Sequence, residues 1–201
     1  MKTLVALLAL VASTTTASGQ TPRTQVVMLG TGTPIPDPSR SGPAVAIVVD
    51  SVAYLFDAGA GVVRRAAEAG RHGVRGFAGR TIVGQPAISF NRVFLTHLHS
   101  DHTLGLADVI FTPWIQGRIA PLDVYGPPGT TRLVHGIVDG NALDIAERLS
   151  SSGGPSKDGW NALAHEIGEG EIFRDARIIV RAFRVPHAGW ENAFGYRVET
   201  P

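Results

Sequence analysis

Residues 44–49 (AVAIVV) and 53–56 (AYLF) are apolar, strand-like runs separated by only Asp50, Ser51 and Val52. A three-residue link can return the chain antiparallel to itself, but it cannot carry a crossover, which needs a dozen or more residues. Residues 171–173 and 178–185 form a second such pair, turned at "RDA". These short links argue against an all-parallel, doubly wound sheet. Between the pairs the periodicity changes. Val62–Ala69 is spaced as a helix closed by Gly70; Leu104–Ile115 is helical up to Pro113, which should end its regular part. Thr130–Leu149 is again helical, with Gly136 and Gly140 as interruptions. Further strands are expected at Gln25–Leu29, Arg92–Leu95, in "PLDVYG" and at Phe194–Glu199, and residues 71–87 read as loop. Hairpins mixed with helices predict a layered α/β sandwich with mixed sheets.

The chain has 201 residues, 44% apolar and 17% charged, enough for one domain with a substantial core. It has no cysteine, so disulfides, thiolate metal sites and a cysteine nucleophile are excluded. Residues 1–19 run from Lys2 through an apolar stretch to a small-residue tail, the layout of a secretory signal peptide. That stretch is far shorter than the roughly 20 residues that span a bilayer. The expectation is a leader at 1–19, a single domain at 20–201, a secreted or periplasmic location and no membrane anchor. Loss of Lys2 with the leader brings the formal net charge of +1 to zero. No basic stripe with interleaved aromatics is visible, so no nucleic-acid partner is expected. "GTG" at 30–32 lacks the GxGxxG or GxxxxGK[ST] context of a phosphate loop.

Residues 96–102 read THLHSDH, directly after the strand-like "RVFL", and hold three of the seven histidines. Side chains two apart in extended backbone point the same way, so His97 and His99 can face one cation while Leu98 points into the body. Asp101 and His102 follow at the entrance to a helix, where a turn aims both at a neighbouring position. HxHxDH therefore reads as a two-metal pattern. Imidazole and carboxylate donors suit zinc, with iron or manganese as alternatives. His72, His135 and His165 lie outside any motif and are expected to be structural or solvated.

THLHSDH resembles the motif of the metallo-β-lactamase superfamily. "VVMLGTGTPIPDPSRSGPAVAI", "YLFDAGAG", "VYGPPGT" and "FRVPHAGWENAFGYRVE" occur in the order found in the branch containing tRNase Z and arylsulfatase-like hydrolases. The resemblance covers residues 25–200. It implies an αββα sandwich and a hydrolase with two zinc ions. His97, His99 and His187 match the ligands of one metal; Asp101 and His102 match ligands of the other, and Asp101 also matches a residue that orients the attacking water. Asp57, in "FDAGAG", matches an acidic position beside the site. It either caps its own turn or accepts an N–H from a ligand histidine, and both readings stand at this point.

The branch also uses a bridging aspartate and a final histidine beyond the "GYR" strand. Asp158 and Asp175 precede His187 and are in the wrong order for that part. The expectation is a fragment of a longer product, with the second half of the sandwich incomplete. Apolar surface on strands 178–185 and 194–198 would then lack cover, which leaves association into a homodimer open. The implied activity is metal-dependent hydrolysis of a phosphodiester or sulfate ester, on a small-molecule or ester substrate. The alternatives are a non-catalytic metal-binding protein and a β-lactam hydrolase.

Overall fold

The structure is a computed structural model that describes residues 23–77, 81–82 and 84–201. The leader expected at 1–19 lies outside the described residues. The first sheet comprises β1 (Thr24–Gly30), β2 (Ala44–Val49), β3 (Val52–Phe56), β6 (Arg92–Phe94), β7 (Leu122–Gly126) and β8 (Ala162–Glu166), in that spatial order. β1, β2 and β3 pair antiparallel, as their short links require, and β3, β6, β7 and β8 then pair in parallel. The second sheet is antiparallel: β9 (Gly170–Arg174), β10 (Ile179–Arg184) and β11 (Phe194–Glu199), with β10 central. β4 (Thr81–Ile82) and β5 (Gln85–Pro86) form a two-residue ladder within the segment expected to be loop.

Helices α1 (Val62–Arg71), α3 (Leu106–Ile115), α4 (Thr130–Gly140) and α5 (Ala142–Ser150) contribute to the larger core, and α2 (Ser100–Thr103) is a single turn. Val62, Val63 and Ala66 of α1 and Leu106, Val109, Ile110 and Trp114 of α3 pack against Leu55, Val93, Leu95 and Val124 of the first sheet. Burial of each large apolar side chain stabilises the fold by roughly 1.5–3 kcal/mol.

The opposite face of the first sheet meets the second sheet through an aromatic cluster. The Phe94 ring stacks on Phe56 and Tyr125 at 4.9 and 5.1 Å, and its edge contacts with Phe173 and Tyr196 are at 5.7 and 6.0 Å. Val180 and Ala182 of β10 face inward and are buried. The outer face carries an ion-pair ladder, in which Arg181 lies 3.0 Å from Glu171 and 3.3 Å from Glu199. The expectation of an uncovered apolar surface on β10 and β11 is thus corrected for most of that face: charges occupy it, with Phe183 the exposed exception. The exposed apolar side chains Val26 and Met28 lie instead on the edge strand β1.

One further expectation is corrected. Pro113 does not end α3, which continues to Ile115. A proline leaves the carbonyl four residues earlier without its helical donor, and here the Val109 carbonyl accepts from Arg118 Nη1 at 2.9 Å. Arg118 is buried and also donates to the carbonyls of Phe90, Ile110 and Gly159. Burial pulls its pKa down to about 10. His165, expected to be structural or solvated, is structural: it lies within β8, where its Nε2 is 2.8 Å from Asp123 Oδ1 and its ring stacks on Tyr125.

Candidate metal centre

β6 delivers residues 95–99 to the C-terminal edge of the first sheet. His97 is buried and His99 exposed, and Leu98 between them packs against the main core, as the alternation predicts. The third histidine arrives from the second sheet. Tyr196 of β11 donates its hydroxyl to the Leu95 carbonyl at 2.6 Å, and Phe194 N donates to the Thr96 carbonyl at 2.9 Å. The loop between β10 and β11 is closed by Val185 N on the Ala193 carbonyl and by Trp190 N on the His187 carbonyl. His187 is thereby held over the end of β6.

The ligand atoms of His97, His99 and His187 all lie within 4.8 Å of one another. His99 Nδ1 is 2.9 Å from His97 Nε2 and 3.2 Å from His187 Nε2. Ligand nitrogens on one tetrahedral zinc ion stand about 3.3–3.4 Å apart, given metal–nitrogen distances of about 2.0–2.1 Å. The two distances from His99 are thus a few tenths of an ångström short of that spacing, and the three donors stand close enough together to share one cation. Burial, together with the His102 and His187 imidazoles, lowers the His97 pKa to about 4. At neutral pH His97 is thus the neutral imidazole a metal requires.

Asp101 and His102 form a second group, with His102 Nε2 3.6 Å from Asp101 Oδ2. Asp57 holds this group in place. Its backbone takes the left-handed conformation (φ 59°) at the end of β3, and its buried carboxylate accepts from Thr96 N at 2.8 Å and from Thr96 Oγ1. The same carboxylate lies 2.8 Å from His102 Nδ1. Of the two readings left open for Asp57, the carboxylate makes no bond within its own turn: its partners are Thr96, at the end of β6, and the ring of His102. With Nδ1–H donated to Asp57, His102 keeps the Nε2 lone pair free for the site. Burial alone would lower the His102 pKa; the Asp57 hydrogen bond and charge, with Asp101, outweigh it and raise it.

Glycines let the supporting loops meet. Ala58 N donates to the His102 carbonyl, and Gly105 N donates to the Ala58 carbonyl, each at 2.8 Å. A Cβ on Gly105 would sit 2.3 Å from the Gly59 carbonyl oxygen, and one on Gly59 would sit 2.3 Å from the Gly42 carbonyl carbon. The glycine-rich segments therefore serve close backbone packing under the site.

Two neighbours were not singled out from sequence. Thr96 bridges Asp57 and His97, its Oγ1 lying 2.9 Å from His97 Nδ1. Trp190 stands edge-on to His99 and His97, with ring centroids 5.1 and 6.1 Å away. The only sequence signal for either was its nearness to a candidate ligand.

A two-sheet fold with convergent histidines at a sheet edge defines a class, and sequence comparison names it. The metallo-beta-lactamase superfamily profile matches residues 38–174, and the chain belongs to that superfamily. It is 34% identical over 182 residues to ribonuclease Z of Mycobacterium marinum (strain ATCC BAA-535 / M), and 32% identical over 179 residues to that of Mycobacterium bovis (strain BCG / Pasteur 1173P2). These alignments take in 87% and 88% of the chain but 58% and 59% of the relatives. The chain thus spans less than two thirds of their length. The crystal structure of human tRNase Z, short form, superposes with a TM-score of 0.60 at 24% identity, over 87% of this chain and 63% of that one. The likeness supports the fold. Among the described residues, no helix is long and apolar enough to cross a membrane.

Proposed function

We propose that this chain carries the hydrolytic centre of a metal-dependent phosphodiesterase. The observation that carries the reading is the meeting of His97, His99 and His187, beside an Asp101–His102 pair oriented by Asp57. His97, His99 and His187 would hold one metal ion and Asp101 with His102 would contribute to a second. Zinc fits these nitrogen and oxygen donors; iron and manganese remain alternatives. A metal bound there supplies Lewis acidity and lowers the pKa of water towards about 7. The chain's own part is orientation: Asp57 fixes the His102 ring, Thr96 fixes the His97 ring, and the Asp101 carboxylate stands where it can accept a proton from water. The ribonuclease Z relatives favour a phosphodiester over a sulfate ester or a β-lactam.

The relatives' name also runs against the expectation that nucleic acid is no partner. The neutral charge after loss of residues 1–19 favours a small ester, and the order of charge, apolar stretch and small residues in that segment supports export. The test is turnover by the purified, metal-supplemented protein on a chromogenic phosphodiester, an aryl sulfate, a cephalosporin and a tRNA precursor. Metal-stimulated hydrolysis of the phosphodiester, lost in His97→Ala, is expected. Equal activity after chelation, or cleavage of the cephalosporin alone, would refute the reading. Preferential cleavage of the tRNA precursor would replace the small ester with RNA.

A further inference from the structure

A cleft of about 410 Å³ adjoins the candidate metal centre, and Asp101 lines both. One wall is the loop of residues 33–38, TPIPDP, and the other is the turn after α2. Two large apolar side chains face this space from separate parts of the chain: Ile35, 78% exposed, and Leu104, 67% exposed. Single exposed apolar residues are ordinary on a protein surface. Two that line one cleft, next to a carboxylate of the site, form an apolar wall where a substrate would lie.

The wall is pre-formed. Pro34, Pro36 and Pro38 each fix a backbone dihedral. The Asp37 carboxylate accepts from Ser39 N at 2.9 Å and from Ser39 Oγ at 2.7 Å, and Gly32 N donates to the Ser41 carbonyl. Little ordering is therefore left for binding to impose. Arg40 and Asp37 both line the cleft and stand 3.7 Å apart, so with Asp101 its charged lining is one cation and two carboxylates. The cleft thus offers an apolar wall over an Asp101 floor, and the anionic group of an ester would sit at the metal centre, not in the cleft.

We infer that this cleft is a subsite for an apolar, ring-sized substituent of an anionic ester, with Ile35 and Leu104 as the residues that set the preference. The inference rests on the hydrolase reading for its reactive centre, but its test does not require turnover. A pair whose apolar group is joined to phosphorus through carbon, and whose one ester bond carries the poor leaving group methoxide, serves as a hydrolysis-resistant probe: the monomethyl esters of naphthylmethylphosphonic acid and of methylphosphonic acid. Both carry one negative charge and differ only in the substituent. Binding to the zinc-loaded protein is measured by calorimetry, with naphthyl fluorescence as a second readout. The naphthyl-bearing ester should bind at least about tenfold more tightly, the scale of one to two kilocalories of apolar contact. Leu104→Ser and Ile35→Ser, which alter two independent segments, should each erase most of that preference while leaving the bound metal unchanged. Equal binding of the two esters by the parent protein would overturn the inference, as would an unchanged preference in both variants when metal content and circular dichroism match the parent. Failure of the hydrolase reading looks different: no phosphodiester is turned over, yet the naphthyl preference and its loss in the variants persist.

Discussion

The site has two halves built in different ways. His97 and His99 come from the end of β6, and His187 comes from a loop 88 positions further on, held by the docking of β11 on residues 95–96. Asp101 and His102 are sequence neighbours in α2, and Asp57 comes from the adjacent strand β3. The triad therefore depends on the two sheets being joined, whereas the Asp101–His102 pair depends only on the first sheet and its loops. Their electrostatics also oppose each other. His97 is surrounded by imidazoles and burial, which favour the neutral form; His102 has Asp57 and Asp101 beside it, which favour the charged form. The triad offers three nitrogen donors to one position, and the pair offers two donors to the other, so the two positions should differ in metal affinity.

Substitutions can break this contrast in order of expected effect. His187→Ala should weaken the tighter zinc equivalent of the 201-residue chain by more than about 100-fold, beyond the 10–100-fold usual for loss of a group that only orients a ligand; competition with a chromophoric chelator would measure it. Asp57→Ala should fall within that 10–100-fold range, and its effect should be larger at the weaker equivalent, because it frees the His102 ring directly and reaches the triad only through Thr96. A larger loss at the tighter equivalent would reverse the assignment.

Proton titration sharpens the contrast in the metal-free protein. The His97 ring should titrate near pH 4 and the His102 ring above its ordinary 6.5 in histidine nuclear magnetic resonance spectra. The stability consequences have opposite signs. His97 binds fewer protons when folded than when unfolded, so its contribution is lost as pH falls from about 6.5 towards 4. His102 has a raised folded pKa, so its contribution is present below 6.5 and is lost as pH rises through that raised value. Replacing His97 with glutamine should flatten the acid side of the stability profile alone. The smallest effect is expected for Tyr196→Phe, which removes one hydrogen bond to the Leu95 carbonyl and should cost about 1 kcal/mol in denaturant unfolding. It should loosen metal binding at the triad and leave the Asp101–His102 position unchanged.

The local half of the site was legible in the sequence because a spacing of two in extended backbone already aims His97 and His99 together. His187 was reached only through resemblance: nothing in residues 186–190 says which strand they pass over. The hairpins β2–β3 and β9–β10 followed from link length. β8 did not, because "ALAHE" has little strand character of its own and is fixed by pairing with β7. Pro113 was misread because the rule for proline is local, while the donor that satisfies Val109 comes from Arg118 beyond the helix. The cleft beside Asp101 was invisible for a related reason. Ile35 and Leu104 read as ordinary apolar residues until the loops are brought side by side.

Anomalous diffraction at the zinc edge, on crystals of the zinc-loaded chain, tests the convergence of the two sheets on one cation most directly. The expected result is a zinc peak about 2.0–2.1 Å from His97 Nε2, His99 Nδ1 and His187 Nε2. A peak bound by His97 and His99 with the His187 ring turned away, or no zinc at these residues, would contradict it.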